Sequence, residues 1–246
     1  MKPTALLCSL TVLVMALTFE TEGAAPVEVS SVLAVKDLVS EIESKTQKLE
    51  LAVEDEAALK RAIEFDTLAT DAGTIACLAQ ALVEHKEGKK SGISAAALRD
   101  AAIALGETED LQEAQNGLAA IKAAIDGKGG DAKAEHAWDE LVDMHRLMLE
   151  MELRQVKLRR SISRPRRLER DAVHASVLIT LALAMEADSY GLEGDDLKEW
   201  TKWARTYRED AVGIAKAMKA DDADTAKKLF EKSDVSCEAC HKAFRD

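Results

Sequence analysis

Asp222-Ala223-Asp224-Thr225-Ala226-Lys227-Lys228-Leu229-Phe230, followed shortly by Ser236-Cys237-Glu238-Ala239-Cys240-His241-Lys242-Ala243-Phe244-Arg245, is the stretch from which the rest of the chain can be read. Phe230, Ser233, Cys237, Cys240 and Phe244 recur at three and four spacing, the period of one helix face, so the pattern predicts a helix over 222–244. Asp221-Asp222-Ala223-Asp224 supplies negative charge at its start, where free backbone N–H groups favour it, and Asp222 or Asp224 can cap it. Near its end, Cys237-Glu238-Ala239-Cys240-His241 is a CxxCH motif, the signature of covalent c-type haem attachment. Two thiols three apart on a helix share a face and can each form a thioether to a haem vinyl group. The next residue can place an imidazole nitrogen beneath the iron.

Other uses of the pair fit less well. A thioredoxin-like CxxC belongs near a βαβ pattern, and no segment of this chain alternates as a strand should. Zinc wants four well-placed ligands, while Cys8 and Cys77 lie far from the motif in sequence. A disulfide between Cys237 and Cys240 is the plain structural alternative. Cys77, within Ile75-Ala76-Cys77-Leu78-Ala79, reads as a buried small hydrophobe.

The other end of the chain corroborates the motif. Residues 1–25 begin with Lys2, run apolar from Ala5 to Phe19 and end in Gly23, Ala24 and Ala25, the pattern of a secretory signal peptide. The apolar run is shorter than the roughly 18–20 residues that span a bilayer, although an uncleaved anchor is the alternative. Cleavage is expected near Gly23 to Ala25. Haem is joined to c-type cytochromes on the exported side of a membrane, so the expected location is periplasmic or otherwise exported.

Formal net charge is −12, and removing Lys2, Glu20 and Glu22 with the leader leaves −11. Such a surface repels nucleic acid and anionic lipid, and no membrane partner is expected once the leader is gone. With aromatic residues at only 4 % and alanine and leucine plentiful, helices are expected rather than sandwiches or barrels. Beyond the leader, proline occurs only at Pro26 and Pro165. Apolar residues recur with helical period near 31–52, 55–86, 94–106, 109–126, 132–160, 166–190, 195–220 and 222–244.

The break at Asp126-Gly127-Lys128-Gly129-Gly130-Asp131 divides the mature chain into halves, and the halves are weakly alike. Lys36-Asp37-Leu38-Val39 echoes Asp139-Glu140-Leu141-Val142, Asp71-Ala72 with Leu78 echoes Asp171-Ala172 with Leu178, and Asp100–Ala104 echoes Asp210–Ala215. Aligned this way, Cys237, Cys240 and His241 fall opposite Ala123, Asp126 and Gly127, and the first half has no covalent haem. The expected fold is all-α, two tandem four-helix bundles: a haem-free bundle over 26–128 and a haem-bearing one over 131–246.

The last stretch resembles the end of the cytochrome c-prime family, the class II c-type cytochromes, in which a CxxCH close to the C-terminus of the fourth bundle helix is followed by an aromatic and an arginine, here Phe244 and Arg245. The likeness covers residues 132–246, with motif support in the last twenty-five or so. It implies one covalent haem c between helices, with Cys237 and Cys240 as thioether anchors, His241 as proximal iron ligand and Arg245 near the proximal side. The family divides into six-coordinate members, with a methionine from the first bundle helix on the distal side, and five-coordinate members crowded there by an apolar residue. In this chain Leu141, Met144, Met148 and Met151 form one stripe; Met148 is the first choice of distal ligand and Met144 the second, while an ungapped alignment puts Leu149 there instead. The stripe can equally be core.

The resemblance implies electron transfer by Fe(II)/Fe(III) cycling with a redox partner protein. The alternative is a five-coordinate haem protein that binds nitric oxide or carbon monoxide. An enzyme would want a distal acid or base, for which only His145 is a candidate, so no enzymatic activity is expected. His174 reads like His145, as a helix-edge histidine; His85 and His136 read as surface residues. Arg154, Lys157, Arg159, Arg160, Arg164, Arg166, Arg167 and Arg170 form a basic patch that suits either solvent, an acidic redox partner or the protein's own acidic half. Trp200 and Trp203 suit either core or a haem edge. The bare half could imitate the missing subunit of a dimer within one chain, an intramolecular pseudo-dimer.

Overall fold

The computed structural model describes residues 24–129, 132 and 135–245. Among them there is no strand. Helices α1 (Val35–Ala52), α2 (Glu56–Glu64), α3 (Thr67–Glu84), α4 (Ala95–Gly106), α5 (Leu111–Ile125), α6 (Met144–Ser163), α7 (Leu168–Asp171), α8 (Val173–Ala187), α9 (Gly194–Lys219) and α10 (Ala223–Phe244) follow one another, with short 3-10 turns at Val29–Ser31, Gly88–Ser91 and Trp138–Glu140. The expected leader lies outside the described residues except for Ala24 and Ala25. No helix among the described residues is long and apolar enough to cross a membrane.

Aspartates start several helices by accepting a backbone N–H of the first turn. Asp55 accepts from Ala58 at 2.7 Å, Asp110 from Glu113 at 2.9 Å, and Asp143 from Arg146 and Asp222 from Thr225 at 3.0 Å each. Each such cap is worth about 1 kcal/mol. Of the two caps considered for the last helix, Asp222 is therefore the one used.

Elsewhere the periodic stretches are cut shorter than expected. The span 55–86 is two helices, because Asp66 adopts a left-handed backbone at φ 54° and turns the chain between them. The span 132–160 is helical only from Met144, after the turn Trp138–Glu140. The span 166–190 breaks at Ala172 into α7 and α8. The likeness of Asp139–Val142 to Lys36–Val39 is consequently one of sequence alone: the first precedes α6, the second lies within α1.

Two helices form the middle of the molecule. α3 is buried without interruption from Thr70 to Leu82, and α8 from Ala175 to Glu186, as expected of helices that are small and apolar on every side. α3 packs on α1 and α4 on its own side and on α6 and α8 on the other, while α8 also packs on α9, and α9 on α10. At Gly73 a Cβ would sit 2.6 Å from Val142 Cγ2, so only glycine lets the segment before α6 lie this close to α3.

A buried ionic cluster sits where α1 and α3 meet α6. Arg154 pairs with Glu41 and, at 2.5 Å, with Glu150; Lys45 pairs with Asp71 and, at 2.7 Å, with Glu150. The side chains of Lys45, Glu150 and Arg154 are at most 1 % exposed, which leaves each of them dependent on its partners. Burial pushes the Glu150 carboxyl up, but Lys45 and Arg154 pull it further down, below the usual range. Arg154 thus pairs with the first half of the chain, one of the three uses considered for the basic patch. Arg159 is spent on Asp234 at 2.6 Å, and Arg170 on its neighbour Asp171.

Candidate functional site

The register of α10 against its neighbours positions the motif. Against α9, Lys232 reaches Asp210 at 2.6 Å, Cys237 lies close enough to perturb Tyr207, and Phe244 meets Trp200 edge-on with ring centroids 5.7 Å apart. Against α6, Arg159 spans Phe230, 5.4 Å from its ring centre, and Asp234. One turn on, Gln155 Nε2 lies 3.3 Å from Cys237 Sγ and 3.2 Å from Tyr207 Oη. α10 therefore runs antiparallel to both helices.

Gln155 also identifies which face of α6 looks at the motif. Met144, Met148, Met151, Gln155 and Leu158 follow at three and four spacing along that face. Because the helices run in opposite senses, Met151 and Met148 fall level with the residues beyond Cys237, and Met144 lies past the end of α10. Met151 and Leu158 are buried, while Met144 and Met148 are half-buried, as are Cys240 and Phe244. Leu149 is not on this face: it is 37 % exposed and lines a cleft against α1 and α2, which removes it as a distal group.

Cys237 and Cys240 are free cysteines in the structure. Burial, the largest influence, pushes the Cys237 thiol up despite the Gln155 hydrogen bond. Burial, with help from Cys237 and Glu199, pushes Cys240 up to about 11. A thiol-exchange pair or a zinc thiolate needs the opposite shift. Among the described residues no three His, Cys, Asp or Glu cluster to hold a bare metal ion. His241 and Arg245 are exposed, with Arg245 capping α10 through its backbone N–H to the His241 carbonyl at 2.9 Å.

One buried polar group beside the motif is orphaned. Trp203 Nε1 is buried without a hydrogen-bond partner, on α9 between the residues that meet Phe244 and Cys237, and so at the level of Cys240. An amide or acid of a bound group at that level would satisfy it. Trp200 is core: its Nε1 donates to the Asp188 carbonyl at 2.8 Å and its ring stacks on Tyr190 at 5.2 Å.

The remaining histidines lie elsewhere. His145 is exposed and faces Asp66 at 3.9 Å, while Arg154 donates to His174 Nδ1 at 3.0 Å. His85 and His136 are not the surface residues expected: His85 is buried against the Leu33 carbonyl at 3.2 Å, and His136 sits between Asp100 at 3.2 Å and Glu140 at 3.6 Å. Cys77 is fully buried, its thiol pushed up to about 12 by burial. Gln155 and Tyr207 were not foreseen; the only hint of Gln155 was its place on the methionine stripe.

Comparison with protein-family models, with curated proteins and with solved structures finds no match for this chain.

Proposed function

We propose that the chain is an exported c-type cytochrome with one covalent haem, whose role is electron transfer with a partner protein. Cys237 and Cys240 would anchor the group and His241 would ligate its iron, with Trp203 Nε1 as a donor to its edge and Arg245 close by. Bound there, haem supplies a one-electron Fe(II)/Fe(III) couple. The observation that carries this reading is the Gln155–Cys237 contact, which aims the methionine face of α6 at the attachment end of α10. Phe244 packs edge-on against the buried Trp200 beside the motif, and the strongly acidic chain suits a basic partner.

On the same reading, α1, α3, α4 and α5 form a haem-free four-helix bundle and α6, α8, α9 and α10 the haem-bearing one. The contact of α1 and α3 with α6 and α8, closed by the Arg154–Glu41 and Lys45–Glu150 pairs, acts as the interface of an intramolecular pseudo-dimer.

The distal side separates the two functional readings. Met148, then Met144, is the ligand proposed for electron transfer. The alternative is a five-coordinate site for nitric oxide or carbon monoxide, with an apolar side chain on the distal side. Optical spectra of the reduced protein with and without carbon monoxide decide between them. Electron transfer predicts a low-spin spectrum unmoved by carbon monoxide, converted to a carbon monoxide-sensitive one by Met148→Leu or Met144→Leu. A high-spin spectrum with prompt carbon monoxide binding in the native protein would favour the gas-binding reading.

A further inference from the structure

Away from the motif, a cleft of about 680 Å³ opens between α1, α2, α3 and α6. Its size lies within the usual range for small-molecule sites. Four of the eight large apolar side chains that are exposed among the described residues converge on it: Leu51 at 69 %, Phe65 at 68 %, Leu153 at 41 % and Leu149 at 37 %. Leaving that much apolar surface together in water is costly, at roughly 25 cal/mol per Å².

The charged side chains of the wall are Lys48, Arg61, Asp71 and Glu150, two of each sign. Arg61 forms no ion pair with any described residue, and Lys48 reaches only Asp71, at 3.6 Å, a carboxylate already held by Lys45. Glu150 at the back is matched by Lys45 and Arg154. With Asp71 and Glu150 both paired, Arg61 is the charged lining side chain left without a partner among the described residues. The field is felt locally: burial, then Arg154 and Lys48, lower the Lys157 amine. The floor also contains Thr70, 7 % exposed, whose hydroxyl has no hydrogen-bond partner.

We infer that this cleft binds an amphipathic carboxylate of the fatty-acid class, its tail over Leu51, Phe65, Leu149 and Leu153 and its head group at Lys48 and Arg61. Thr70 lies behind the head group as a further donor. The site is separate from the attachment end of α10 and stands whether or not the chain bears haem.

The test is calorimetric titration of the purified full-length mature chain with dodecanoate below its aggregation concentration. Saturable one-to-one binding is expected, with dodecyltrimethylammonium, the same tail with the opposite charge, at least about tenfold weaker. Lys48→Glu with Arg61→Glu should weaken dodecanoate by about tenfold or more; both residues are at the surface, and Lys48→Gln with Arg61→Gln is the milder pair should the first disturb folding. Val83→Ser, an exposed apolar residue outside the cleft, should leave binding unchanged. The inference is overturned by absence of saturable heat, by equal binding of the cationic surfactant, or by indifference to both pairs of substitutions. It is equally overturned if the chain is a dimer that Leu153→Asp dissociates, since the apolar face then belongs to a second copy.

Discussion

The helix pairs α4–α5 and α9–α10 close the first and second halves of the chain, and they differ most in length: 12 and 15 residues against 26 and 22. Cys237 is the fifteenth residue of α10, so the CxxCH motif begins at the position where α5 has its last residue and extends past it. The additional seven residues of α10 amount to about 10 Å of helix. In the first half the chain instead turns at Gly127, φ 75°, and Trp138, early in the second half, is fully buried with its indole N–H on Glu84 at 2.8 Å. On the proposed reading, it is helix extension that gives α10 room for the whole motif.

The largest expected effect is all-or-none. Cys237→Ser combined with Cys240→Ser should abolish haem that survives denaturation, whereas Cys77→Ser, in the first half, should leave it intact; haem-stained denaturing gels read both.

Next is the seam between the halves. Arg154→Met strands Glu41 without its cation, leaves Glu150 with Lys45 alone, and should cost about 3–5 kcal/mol in urea unfolding. Arg159→Met, which loses a largely exposed arginine's pair within the second half, should cost no more than about 1 kcal/mol. Similar losses from the two would mean that the seam is not what ties the halves together.

The seam should also respond to acid. Burial, then Arg154 and Lys157, lower His174 from its ordinary 6.5 to about 4. The unfolded chain therefore takes up this proton before the folded one does. Stability falls as pH drops from about 6.5 to 4, by at most about 3 kcal/mol, and His174→Gln should flatten that slope. Glu150 acts lower: its folded value lies below the unfolded one, so its contribution is complete above about 4.3 and is lost as pH falls through and below that point. A stability curve whose slope between pH 6.5 and 4 is the same with and without His174 contradicts this.

Much of this was legible in the chain itself. The helix over 222–244, its Asp222 cap and the break after residue 125 rest on local signals: period, a short acceptor side chain, glycine. The turn at Asp66 was not, because nothing but a left-handed aspartate marks it inside a continuous apolar pattern. The Arg154–Glu41 pair joins residues 113 apart in sequence, and no spacing rule reaches that far. Leu149 and Met148 are neighbours on one helix; only the position of α10, revealed by Gln155, tells which of them faces it.

The smallest effects sharpen the same contrast. Asp222→Ala and Asp110→Ala each remove one cap and should each cost about 1 kcal/mol. Only the first frays the helix that bears the motif, so only the first should lower haem incorporation, measured as the ratio of Soret to protein absorbance.

The most direct measurement is the intact mass and visible absorption of the mature chain made in a host competent for cytochrome maturation. The account predicts the polypeptide mass plus one haem, retained after unfolding, with a Soret band. The bare polypeptide mass with no Soret band would contradict it.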